Sequence, residues 1–126
     1  MATLTTVDGA TITFTPDSIA AVTDHGATGT AVTCVYGIAK AELRIAESVT
    51  AFLTPLGIIA KFVQLTRPDA SPVWINGPSI SSLSAPLPAD YPPNVNTVVS
   101  AGAFTQGVIE TPEVVIAAVN AHGGKL

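Results

Sequence analysis

At 126 residues the chain is long enough for one domain that buries about two-thirds of its unfolded surface. Charged residues make up only 11%, less than half of the roughly 25% usual for soluble globular domains. Five Lys and Arg against nine Asp and Glu, a net charge of −4, exclude the basic footprint that nucleic acid demands.

With so few charges, the surface must be covered largely by Thr, Ser, Ala, Pro and Gly. Interspersed charge normally keeps a monomer soluble. Two readings follow: part of the surface faces other protein chains in a homo-oligomer or larger assembly, or the chain is a weakly charged, Thr-rich monomer. Cys34 stands alone, so no disulfide can form within the chain, and its apolar strand context predicts a buried thiol. Residues Met1 to Asp8 show no Sec-type signal. The longest apolar stretch, Ala51 to Val63, contains Pro55, Gly57 and Lys61 and is too short to span a membrane. The expected location is therefore the bacterial cytoplasm or a virion.

In chain order, an extended segment reaches Val7 and meets Asp8-Gly9, a strong hairpin signal because Gly accepts positive φ. Thr11 to Thr15 alternates strictly and predicts a strand with Ile12 and Phe14 inward. Pro16-Asp17 turns the chain into a short strand from Ile19 to Thr23, followed by a Gly-rich loop, Asp24 to Gly29. Strands Thr30–Tyr36 and Ile38–Ala46 are expected to form a hairpin around Gly37. On the second of these, Lys40, Glu42 and Arg44 face one way while Leu43 and Ile45 face the other. Ser48 is the predicted N-cap of a short helix that Pro55 and Gly57 end.

A shift of 61 residues then aligns Leu4–Thr23 with Leu65–Ser84 without a gap. Identities are Leu4/Leu65, Thr5/Thr66, Asp8/Asp69, Ser18/Ser79 and Ile19/Ile80. Further on, Glu47-Ser48 aligns with Glu110-Thr111. Thr111 is expected to cap a second helix, with Pro112 at its first position, Glu113 facing the dipole, and Val115, Ile116 and Val119 as its apolar stripe. Gly123-Gly124 stops it. The chain is therefore read as a duplication, with residues 4–57 and 65–120 as the two copies. The predicted fold is mainly β with two short helices: two tandem β-meander-plus-helix repeats, 1–57 and 58–126, packed as one pseudo-two-fold domain, 1–126. Ile58 and Ile59 make the connection too apolar for a free tether.

The copies diverge where Asp24–Gly29 becomes Ala85-Pro86-Leu87-Pro88-Ala89-Asp90-Tyr91-Pro92-Pro93-Asn94. Four prolines favour a stiff, extended path, and a loop whose ordering entropy is already low suits partner contact. Trp74, Pro86, Leu87, Pro88, Tyr91, Pro92 and Pro93 are the candidate contact residues. The alternative is that Trp74 is core and the loop packs on its own domain.

No catalytic, cofactor or metal set is read from the sequence. Asp8 and Asp69 are explained by turn chemistry, and Glu47 and Glu110 by the helix starts they precede. His25 and His122 are expected to be exposed, with no ligand spacing around them. Motifs of nucleophilic, phosphate-binding or zinc chemistry are absent from the sequence. The chain is read as no enzyme.

Leu65-Thr66-Arg67-Pro68-Asp69, then Pro72-Val73-Trp74-Ile75-Asn76, resembles the FlbD-type small flagellar proteins of bacteria, as do Thr97-Val98-Val99, Gly102 and the helix start at Glu110-Thr111. The likeness covers copy two well and copy one through Leu4-Thr5 and Asp8-Gly9. It implies a small β-rich unit that works by protein contact and carries no active site. Three functions are weighed: a structural or assembly protein of a bacteriophage virion (decoration, tail or connector subunit), a motility-associated protein of the FlbD type, and a small-ligand-binding module between the copies.

Overall fold

A computed structural model describes residues 2–24, 33–37, 43–68, 70–102, 104–124 and 126. The first strands, β1 (Ala2–Thr5) and β2 (Thr11–Phe14), form an antiparallel hairpin with Leu4 opposite Ile12. Its turn is closed by backbone bonds from Thr6 to Ala10 (2.8 Å) and from Gly9 to Thr6 (3.0 Å). Gly9 takes φ +94°, as the Asp-Gly pair predicts. A 3-10 turn over Pro16–Ser18 leads into β3 (Ala21–Asp24), β4 (Thr33–Tyr36), β5 (Leu43–Ile45) and helix α1 (Val49–Leu53).

The same succession follows: hairpin β6 (Phe62–Thr66) and β7 (Pro72–Asn76), a 3-10 turn at Gly77–Ser79, then β8 (Ile80–Ser84), β9 (Thr97–Ala101), β10 (Phe104–Val108) and helix α2 (Pro112–Ala121). The fold is mainly β with two helices, as its patterning predicts. His25, Lys40, Glu42 and Asp69 lie outside the described residues. Arg44 is exposed on β5 between half-buried Leu43 and buried Ile45, the expected half-buried strand.

Among the described residues, three antiparallel sheets result: β1-β2, β10-β9-β8, and a five-stranded sheet in the order β5-β4-β3-β7-β6. The last takes strands from both halves of the chain. Its junction sets Ala21 opposite Ile75, Val22 opposite Trp74 and Thr23 opposite Val73. Because side chains alternate along a strand, this sheet has two apolar faces, and each belongs to a different core. Val22, Val35, Ile45, Phe62 and Trp74 pack on one side with Leu4, Phe14, Ile19, Phe52 and Leu53. Ala21, Val63, Leu65, Val73 and Ile75 pack on the other with Ile80, Val99, Val108, Val115 and Val119. A strand covered on both faces reads as an unbroken apolar run, which explains Val73-Trp74-Ile75. Ile58 in the connection is buried in the first core.

Asn76 fastens the junction. Its backbone N–H donates to Ala20 O (2.9 Å), and its side-chain Nδ2 donates to Ile19 O (2.9 Å). The residue is buried and its Oδ1 has no hydrogen-bond partner.

Several local expectations need correction. Ser48 caps α1 through its hydroxyl, which accepts from Ala51 N–H (3.1 Å), but Thr111 makes no side-chain cap to α2. Pro112 already removes one orphan donor there. Val115 and Val119 are buried, one turn apart, while Ile116 stands 38% exposed: it lies about 100° around the helix from Val115 and so turns away from the sheet. Glu110 is held by a long-range contact, accepting from Thr66 N–H (2.9 Å) and the Thr66 hydroxyl (2.8 Å). His122 is half-buried, with Nδ1 2.8 Å from Ala60 O, so this nitrogen carries the proton.

Ala70 occupies the place in the second hairpin that Gly9 holds in the first, and it takes φ +72°. An L side chain pays about 1 kcal/mol there. Ala70→Gly should therefore raise stability by roughly 0.5–1 kcal/mol, read as a higher denaturant midpoint at unchanged slope. Since Trp74, the single tryptophan, reports on the first core, Val119→Ala in the second core gives a test of coupling. Its cost of about 2 kcal/mol should shift the tryptophan-fluorescence and circular-dichroism transitions together. Two separated transitions would show that the halves unfold independently.

Candidate interaction surface

A long irregular segment, residues 85–96, lies between β8 and β9. Its prolines stiffen it, and local bonds shape it further. Leu87 O accepts from Asp90 N–H (2.9 Å) and Tyr91 N–H (3.2 Å), and Pro92 O accepts from Val95 N–H (3.1 Å).

Its C-terminal end is anchored at two residues. Asn94 Nδ2 donates to Pro68 O in the turn between β6 and β7 (2.9 Å). Asn96 donates twice to the chain leaving β10, through its backbone N–H to Val108 O (2.9 Å) and through Nδ2 to Ile109 O (2.7 Å).

Beneath the loop, Gly107 on β10 clears a space. A Cβ there would lie 2.8 Å from Tyr91 Cδ1 and 3.0 Å from Val95 Cγ1, closer than carbon atoms pack. Gly107 is opposite Val98 in the ladder, so Val98 shares its face, away from Val108 and the second core. Tyr91 and buried Val95 thus cover the outer face of β9 and β10.

This geometry divides the candidate residues. Tyr91 and Pro86 are half-buried, whereas Pro88, Pro92 and Pro93 are exposed. Leu87 is 63% exposed, more than any other large apolar side chain among the described residues. Trp74 belongs elsewhere: it packs against the first core on the far face of the five-stranded sheet, whereas Tyr91 seats on β10 of the other sheet. The loop therefore packs on its own domain through Tyr91 and Val95 and presents Leu87, flanked by two prolines, to solvent. Patterning did not reveal Gly107, although a glycine inside a strand signals close approach by another group. Nothing in the local sequence distinguished Asn94 and Asn96 from ordinary turn residues.

Several polar groups elsewhere are engaged in the scaffold. The Thr97 hydroxyl donates to Glu110 O (2.8 Å), and the Thr33 hydroxyl donates to Glu47 O. At the first turn the Thr6 hydroxyl donates to Asp8 and holds that carboxyl below its usual pKa. Among the described residues no three His, Cys, Asp or Glu side chains are grouped to hold a metal ion. Among them, too, no helix is long and apolar enough to cross a membrane. Cys34 is buried on β4. Comparison with protein-family models, with curated proteins and with solved structures finds no match to the chain.

The anchoring can be tested directly. Gly107→Ala forces the Tyr91 ring off β10 and should cost about 1–3 kcal/mol by overpacking. Amide exchange in 85–96 should accelerate while the α2 amides change only with global stability. Unchanged exchange across the loop would mean that Tyr91 does not hold it.

Proposed function

We propose that this chain is a non-enzymatic structural subunit that acts through protein–protein contacts in a larger assembly, of the kind that forms the decoration, tail or connector parts of a bacteriophage virion. The observation that carries the reading is the loop 85–96. It is braced by proline, by Tyr91 on Gly107 and by two asparagine amides, and it presents Leu87 to solvent. A braced loop loses little conformational freedom when a partner seats on it. The 11% charge content supports the same reading, because a surface so poor in charge is better suited to contact with protein than to isolation in water. A duplicated architecture, with the second copy's middle loop lengthened, accounts for how one unit kept the scaffold role while the other acquired the contact.

A second reading rests on the segment Leu65–Asn76, which resembles the FlbD-type proteins. In that case the chain is a bacterial protein acting on motility by contact with another protein. Neighbouring genes separate the two: terminase and portal genes favour the virion, flagellar genes the alternative.

The direct experiment is to band particles from the bacterium that carries the gene and identify their proteins by mass spectrometry. The chain should be present at the stoichiometry of a repeated subunit, and Leu87→Asp should deplete it from the particles several-fold without altering its fold. Recovery of the chain only in the particle-free fraction would sink the virion reading.

A further inference from the structure

Following hydrogen bonds from strand to strand arranges all ten described strands in one run. β2 pairs with β1, and just beyond β1 the Val7 N–H donates to Arg44 O on β5 (2.8 Å). β5, β4, β3, β7 and β6 follow in the central sheet. Ile109 N–H, just past β10, then donates to Thr66 O at the end of β6 (3.0 Å), and β10, β9 and β8 complete the series.

The order is thus β2-β1-β5-β4-β3 followed by β7-β6-β10-β9-β8. Under the 61-residue shift, β2 corresponds to β7 and β3 to β8, so the second five strands repeat the order of the first. The halves meet head to tail, β3 of one against β7 of the other. The two ends of the run, β8 and β2, are the counterparts of that pair, and they are paired neither with each other nor with another described strand on their outer sides.

A junction that joins unlike edges and leaves the same two kinds of edge free is open-ended. We propose that β8 of one copy of this chain pairs with β2 of a second copy, antiparallel, with Leu83 opposite Thr13 as Val22 is opposite Trp74. Copies then add head to tail into a ring or a filament. This rests on the assembly reading above and names the partner as the chain itself.

The free edges fit that role. Thr11, Thr13, Thr15, Ser81, Ser82 and Ser84 are exposed, and neither β2 nor β8 contains Lys, Asp, Glu or Pro, the residues that usually block an edge. The counterparts Ala20 and Ala21 at the internal junction are buried. Hydroxyl side chains keep the free edge soluble, so the contact between copies is reversible where the internal one is permanent. Thr15, in the place of Asn76, would offer its hydroxyl to Ile80 O as Asn76 offers its amide to Ile19 O. A register irregularity between Ile80 and Ser82 in the pairing with β9 adds local twist to this edge.

The test is light scattering of the purified chain at rising concentration. Its mass should climb past the monomer in whole-copy steps, and Thr13→Lys should abolish the climb while leaving the thermal midpoint unchanged. In a Cys34→Ala background, Thr15→Cys with Ser81→Cys should give a ladder of disulfide-linked multimers on oxidation. A disulfide within one chain would show β8 closing on its own β2 and would overturn the proposal. So would a wild type that stays monomeric, which leaves open assembly on a different virion protein as read from the particles. Multimers that survive Thr13→Lys unchanged would place the contact elsewhere and sink the edge pairing alone.

Discussion

The pairing of β3 with β7 is the contact on which both hydrophobic cores depend. It brings together strands about fifty residues apart and makes a sheet with no solvent face at its centre. On one side Val22 and Trp74 close the first core, and on the other Ala21 and Ile75 close the second. Neither half is complete without it. The first core would lose Phe62 and Trp74, and the second would lose Ala21 and the Tyr36 ring, whose centre lies 4.9 Å from that of Phe104 at a 44° tilt. A unit of about sixty residues buries too little surface to be secure alone, and sharing one sheet between two cores removes an exposed apolar face from each. Asn76 explains why the register holds. A one-residue slip would exchange the two faces and tear both of its bonds from Ile19 and Ala20.

Scarcity of charge changes how the rest is fastened. Lys61 and Asp17 form an exposed pair at 3.7 Å, worth at most about 1 kcal/mol. Longer-range fastening among the described residues rests on neutral donors and on the Glu110 carboxylate. Glu110 takes both the backbone and the hydroxyl of Thr66, and Thr97 binds the backbone at Glu110. These bonds tie the start of α2 to β6 and β9 at once. Side chains that invite a catalytic reading, Glu110 above all, are therefore holding strands and helix together.

What could be read from the sequence was local. Asp8-Gly9, the Ser48 cap, Pro112 and Gly123 each act within a few residues, and each sits where its own conformational preference puts it. Partnership between distant strands is not written in periodicity. Alternation in Thr11-Ile12-Thr13-Phe14 says which residues share a face, but not what covers that face. The apolar run Val73-Trp74-Ile75 did carry a signal, since burial on both faces is what such a run means. Ile116 failed for the same reason in reverse: it is apolar yet exposed, because the helix presents only the Val115–Val119 line to the sheet. The prolines predict an extended path for the loop, whereas it turns at Leu87–Tyr91 and at Pro92–Val95, and its course depends on Gly107, sixteen residues after Tyr91, making room for that ring.

That direction bears on how the surface can work. Burying one leucine gains about 1.5–3 kcal/mol, while bringing two free proteins together costs at least about 4 kcal/mol. Leu87 alone cannot hold a free partner, however well the loop beneath it is braced. The same contact becomes effective when other contacts already hold the partners together, because the cost of association is then shared across sites. A weak apolar tip on a rigid loop, and weak hydroxyl-lined strand edges at both ends of the strand run, are each poor as isolated binding sites. Under the assembly proposed above, such contacts act together, each made in the presence of its neighbours.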